Sequence, residues 1–184
     1  VDVQVDFDAG GRRDPPGQGG LAYVTAYLTG KGVRASGDRP ALDENQLSEA
    51  WADLGASFAA SGGADRFSFT LRSLTDAELL PRVVALAARQ IGEPAFPPEV
   101  WQRERERLAA SLRESYTRPG TLAEEAFGKA VYRDHPYAND MTEPSLARIE
   151  VADMRRHHAI LRPCRAKVSI VGAVSRAQAD ALAA

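Results

Sequence analysis

The chain has 184 residues, 25 acidic against 23 basic side chains and a formal net charge of −2. That length fits one domain of ordinary size or at most two small ones, and 44% hydrophobic with 26% charged residues lies in the globular range. The balance lacks the basic excess of a nucleic-acid or anionic-membrane binder, no apolar run reaches the ~20 residues of a membrane span, and the lone Cys164 excludes an internal disulfide framework and a multi-cysteine zinc site.

Val1 to Phe7 alternates apolar with polar residues, the pattern of a half-buried β-strand. The sequence opens there without initiator Met or a signal-peptide pattern, so a trimmed or processed chain is expected. The Ala-rich helical stretch from Ala177 to Ala184 ends without Gly or Pro and is expected to be cut as well. Ala9 to Gly20, with five glycines and two prolines, predicts a loop. Leu21, Val24 and Leu28 then fall on one face of a helix that Gly30 and Gly32 end. Asp43 is placed to cap a second helix carrying Leu47, Ala50, Trp51 and Leu54, with Gly55 as its stop.

Ser57–Ala60 and Arg66–Leu74 predict a hairpin around Ser61-Gly62-Gly63-Ala64-Asp65, with Phe67, Phe69 and Leu71 on one face. Thr75-Asp76-Ala77-Glu78 matches a capping box before a helix with Leu80, Val84, Ala88 and Ile91 on its apolar side. Pro81 should kink or delay that helix. Phe96 is expected buried within the stiff Pro94–Pro98 connection. Glu99–Tyr116 and Thr121–Val131 are helical patterns, the second with Leu122, Ala126 and Ala130 in register. His135-Pro136-Tyr137 and Thr142-Glu143-Pro144 mark a loop, Val151–Leu161 a further helix and Lys167–Val171 a last strand. The fold class is α+β, a mostly antiparallel sheet covered by helices.

Few residues offer chemistry. His157 and His158 are neighbours and point about 100° apart on a helix, so they cannot share a metal; a solvated helix end is expected. His135 reads as a loop hydrogen-bonder and Cys164 as a partly buried structural thiol. The glycine-rich stretches lack the Lys-Ser/Thr of a phosphate loop, and the Arg103-Glu104-Arg105-Glu106-Arg107 run predicts a solvated helix face. No nucleophile–base set follows from spacing.

The order of segments is more specific. Phe7-Asp8-Ala9-Gly10-Gly11-Arg12-Arg13-Asp14, Gly19-Gly20-Leu21-Ala22, Leu54-Gly55-Ala56-Ser57-Phe58, Asp65-Arg66-Phe67-Ser68, Pro94–Pro98 before an Arg/Glu helix, His135-Pro136-Tyr137 and Val168–Gly172 follow one another over nearly the whole chain. Together they resemble the N-terminal domain of the insulinase/pitrilysin family of zinc peptidases, which includes the mitochondrial processing peptidase. In active members the helix after Gly-Leu-Ala carries H-x-x-E-H: two His one turn apart hold Zn²⁺ and the Glu is general base on its water.

On that resemblance the motif positions are Tyr23, Ala26 and Tyr27, within Tyr23-Val24-Thr25-Ala26-Tyr27. The third ligand, a Glu two turns after a Glu-Arg pair, falls on Ser111 if the pair is Glu104-Arg105. A two-residue shift puts it on Arg113, with Glu114 close by. The resemblance therefore implies a single N-terminal-type domain over residues 1–184, lacking the second family domain, with no catalytic residue and no metal ligand of its own. Tyr23 and Tyr27 are expected to fill the vacated space.

It also implies a non-catalytic subunit that encloses and positions peptide substrate for a zinc-bearing H-x-x-E-H partner of the same family. A purely structural assembly role is the alternative, followed by a divergent hydrolase with relocated ligands such as His135 with Glu104 or Glu114. Self-association through an uncovered docking face is expected. Bacterial pairs of this kind point to the periplasm.

Overall fold

The alternation that predicts strands also builds the sheet. In the computed structural model, which describes residues 1–183, β1 (Asp2–Phe7), β4 (Ser57–Gly62), β5 (Phe67–Arg72) and β6 (Lys167–Val171) form one antiparallel sheet in the order β4-β5-β1-β6. The register pairs Phe7 with Phe67, Val5 with Phe69 and Val3 with Leu71, and sets Phe58 opposite Leu71. All these apolar side chains therefore share one face, because residues directly opposite in a ladder point the same way. Phe67, Phe69 and Leu71 are buried, as the alternation predicts. The other face carries Asp2, Gln4, Ser57, Thr70 and Arg72.

Helices cover the apolar face. α1 (Leu21–Thr29) lies against it with seven of its nine residues buried, so it is enclosed on nearly all sides. Its Ala26 packs among Phe7, Ala9, Phe67 and Phe69. Leu21, Val24 and Leu28 point the other way, into a second cluster with Phe96, Trp101, Leu108, Leu146, Ile149 and Met154. That cluster draws on α4 (Pro98–Ser115), α6 (Glu143–Arg148) and α7 (Val151–His158). A third cluster joins α2 (Glu44–Asp53) to α3 (Leu79–Gly92) through Leu47, Trp51, Leu54, Val83 and Ala87. α5 (Pro119–Tyr132) buries none of its residues, and α8 (Arg176–Ala183) follows β6. An α+β domain with an antiparallel sheet under helices is what the pattern implies.

Several local expectations need correction. Two short strands, β2 (Gly32–Val33) and β3 (Leu42–Asp43), form a ribbon where only a helix stop was legible. β4 runs on through Gly62, paired with Phe67, and α1 crosses it there so closely that a Cβ on Gly62 would lie 2.3 Å from the carbonyl oxygen of Ala22. α3 is capped by Asp76 rather than by a Thr75 box, its carboxylate accepting from the N–H groups of Glu78 and Leu79. Pro81 sits in the first turn, where no intrahelical bond is lost. The inward face of α3 is Val83, Ala87 and Gln90 rather than Val84, Ala88 and Ile91. Gln90 decides this, since its amide accepts from Trp51 Nε1 at 2.8 Å and donates to the Thr29 carbonyl at 3.1 Å.

The Thr142 segment is a cap, not a loop: Thr142 and Ser145 form a reciprocal capping box that opens α6. α7 stops at His158, three residues short of the predicted end. His157 is buried at 5% exposure, its Nε2–H donating to the Ala9 carbonyl at 3.0 Å, so it is no solvated helix end. Arg155 and Arg156 just before it are exposed instead. Cys164 is exposed, lying in a short 3-10 turn before β6.

Candidate functional site

The residues singled out by the family pattern lie on α1 and α4. α1 begins where Gly20 adopts a φ of 95°, a conformation that favours glycine, and no side chain of the N-cap residue caps the helix. Asp14 supplies the cap from six residues upstream. Its carboxylate accepts from the N–H of Gly20 at 2.9 Å and of Ala22 at 3.0 Å. Burial pushes the Asp14 carboxyl up to about 6, although these amide bonds and one from Leu21 favour its charged form.

On α1, Tyr27 turns toward α4. Its hydroxyl donates to Glu104 at 3.1 Å, Lys31 Nζ lies 4.6 Å from its ring centroid, and the Arg107 guanidinium lies 5.8 Å away. Glu104 is only 5% exposed and also accepts from Arg107 at 2.7 Å and Arg103 at 3.4 Å. Burial works to raise the Glu104 carboxyl, and the bonds from Arg107 and Tyr27 overcome it, holding the group below the usual carboxylate range. Arg103 continues the chain of charge to Glu44, which pairs in turn with Lys31.

The burial of Glu104 is thus what the sequence reading misses. A charge run of alternating sign predicts a solvated face, yet Trp101, Glu104 and Leu108 follow one another at helical spacing and all three are buried. That spacing was the available signal. Glu106 and Glu114 remain exposed, and Glu114 pairs with Arg118.

The other singled-out positions stand apart in environment. Tyr23 is 43% exposed and does not fill a vacated space as expected of it; Tyr27 alone packs and bonds. Ala26 is enclosed by the aromatic cluster under the sheet, and Ser111 is exposed on α4. His135 caps the turn after it, its Nδ1 accepting from the Tyr137 N–H at 3.2 Å, while the Tyr137 hydroxyl donates to Asp65 at 2.6 Å. It behaves as the loop hydrogen-bonder that the sequence predicts. Among the described residues, no three His, Cys, Asp or Glu side chains come together as metal ligands, so His135, Glu104 and Glu114 do not form a relocated set.

The donor chemistry at Tyr23, Ala26, Tyr27 and Ser111 does not fit Zn²⁺. Zinc sites of proteins are built from Cys, His, Asp and Glu, so tyrosine and serine hydroxyls are poor substitutes and alanine offers no donor at all. The carboxylate that meets Tyr27, Glu104, already accepts from Arg107, Arg103 and Tyr27.

Residues 1–145 match the protein family described as Insulinase (Peptidase family M16). No curated protein matches the chain. Among solved structures, a peptidase M16 inactive domain from Pseudomonas fluorescens superposes with a TM-score of 0.90 at 27% identity, covering 99% of this chain and 43% of that one. A protease from Helicobacter pylori gives 0.82 at 20% identity, with 99% and 43% covered. The periplasmic protease PqqL from Escherichia coli gives 0.79 at 17%, with 98% of this chain and 19% of that chain covered. The chain therefore spans less than half the length of each of these structures.

Proposed function

The chain belongs to the insulinase family of peptidases, and we propose that within it this domain is part of a non-catalytic half, one that encloses and positions an extended peptide for a zinc-bearing subunit. The observation that carries this reading is the state of α1. At the positions that the resemblance assigns to the family's zinc motif, Tyr23, Ala26 and Tyr27 supply neither a ligand nor a general base. The third position, Ser111, supplies no carboxylate. The protein from Pseudomonas fluorescens to which the chain is similar is itself described as an inactive domain.

In this reading residues 1–184 form one N-terminal-type domain, no zinc is held by the chain, and the metal belongs to a partner bearing H-x-x-E-H. The hydrogen bond from Tyr27 to Glu104 ties α1 to α4 without a metal. Export to the periplasm and self-association of the isolated domain belong to the same proposal.

The test is reconstitution. The chain is mixed with candidate H-x-x-E-H subunits from the same source, and both co-purification and peptide hydrolysis are followed. Hydrolysis by the mixture well above that of the zinc-bearing subunit alone supports the proposal. Stable co-assembly with no change in hydrolysis points to a purely structural subunit, and peptidase activity of the chain by itself overturns the proposal.

A further inference from the structure

A second site lies away from α1, at the place where α7, the end of β2 and the Pro94–Pro98 connection meet. A cavity of about 370 Å³ opens there, lined by Arg34, Pro94, Phe96, Arg155 and His158. Its construction is specific. Phe96 is buried with a φ of 48°, a left-handed conformation unusual for an aromatic residue, and its ring meets His158 edge-on with centroids 5.8 Å apart. Pro94 is bridged to Val33, and the neighbouring Arg34 is held by its backbone at both ends. Its N–H donates to the Glu93 carbonyl at 2.9 Å, and its own carbonyl accepts from Arg89 at 2.7 Å.

The charges in this cavity are of one sign. Arg34 and Arg155 form no ion pair with any carboxylate among the described residues, whereas most arginines of the chain do. The Nε2 of His158 lies 2.6 Å from the Ile91 carbonyl, which can only accept, so Nε2 carries the proton and Nδ1 is the atom that titrates. Burial, and then the charge of Arg34, hold the His158 imidazolium below its ordinary range. Two guanidinium groups with free forks beside an apolar floor suit a planar oxyanion carried on a hydrocarbon stem.

We propose that the Arg34–Arg155–His158 cavity binds a carboxylate on a short aliphatic stem, of the kind an acidic side chain of a bound peptide or partner presents. The floor made by Phe96 and Pro94 takes the methylene groups, and the two guanidiniums take the carboxylate. This stands independently of the role assigned to α1.

The experiment uses the whole chain, with glutarate as probe and inorganic phosphate and chloride as comparisons, followed by NMR titration of the His158 ring. Glutarate is expected to bind in the millimolar range and to raise the His158 pKa by about one unit, as a carboxylate placed beside an imidazolium does. Arg34→Gln and Arg155→Gln should each weaken binding by about tenfold while thermal melting stays where it is, since both guanidiniums are exposed. Equal binding by wild type and both Gln variants overturns the site, and phosphate binding as tightly as glutarate overturns the assignment to a stem-borne carboxylate.

Discussion

The Tyr27 hydroxyl donates to the Glu104 carboxylate across the α1–α4 contact, 77 positions apart in sequence. Charges alternate in sign along Arg107, Glu104, Arg103, Glu44 and Lys31, so the buried Glu104 carboxylate is met by two guanidinium groups as well as by the Tyr27 hydroxyl. Removing one partner leaves the other uncompensated, and that is where the cost arises.

Glu104→Ala should therefore destabilise the domain by about 2 kcal/mol, and Tyr27→Phe by about 1 kcal/mol, measured by urea unfolding. The double variant should cost less than the sum, because each single change already breaks the shared bond. The carboxyl of Glu104 titrates lower in the folded chain than its ordinary value of 4.5. Its contribution is thus present above that value and is lost as pH falls through the lower, folded-state value. Strict additivity in the double variant would remove the coupling.

Asp14 has the opposite sign. Its carboxyl is raised from an ordinary 3.8 to about 6 in the folded chain, so the folded state holds this proton more tightly than the unfolded one. Stability should fall as pH rises between about 4 and 6, by up to about 3 kcal/mol from this group. Asp14→Asn should flatten that part of the stability–pH curve. A curve of unchanged slope in the variant would locate the titrating group elsewhere.

Two glycines in different settings should respond in opposite directions. Gly62→Ala forces a methyl group to within 2.3 Å of the Ala22 carbonyl and should cost about 1–3 kcal/mol in thermal or urea unfolding. Gly128 lies within α5 with open space around its Cβ position, so Gly128→Ala should stabilise by about 0.5–1 kcal/mol. If both variants melted alike, the close approach of α1 to β4 would be in error.

Ala26→Glu alone should be poorly tolerated. The site is enclosed by Phe7, Phe67 and Phe69, and a carboxylate there lacks a partner, so a loss of about 3 kcal/mol or more is expected in thermal melting. Restoring the motif as Tyr23→His, Ala26→Glu and Tyr27→His should recover part of that loss on adding Zn²⁺ if α1 retains the family geometry. A melting temperature that Zn²⁺ leaves untouched would mean that Ser111 is needed as a carboxylate too.

The parts of the fold set by local pattern were legible in the sequence. The Phe67-Phe69-Leu71 alternation, the Leu21-Val24-Leu28 face and the Asp43 cap all rest on spacing of two or three to four residues, which a chain carries in plain view. What was not legible depended on distant partners. Gln90 fixes the rotation of α3 through Trp51 and Thr29, His157 is drawn inward by the Ala9 carbonyl, and Glu104 is buried because Tyr27 and Arg107 answer it. Each is a polar residue whose burial is paid for by a partner tens of positions away. Composition alone assigns such residues to solvent, as it did for the Arg103–Arg107 run and His157. The family pattern directed attention to Tyr27, but only the packing of α4 on α1 disclosed the carboxylate beside it.

The most direct test of the central claim is zinc content. The native chain is dialysed against trace Zn²⁺ and analysed for metal, alongside an H-x-x-E-H-bearing family member as reference. The account predicts far less than one zinc per native chain and about one in the reference. A tightly held zinc in stoichiometric amount on the native chain would contradict the reading of Tyr23, Ala26 and Tyr27, and with it the non-catalytic role.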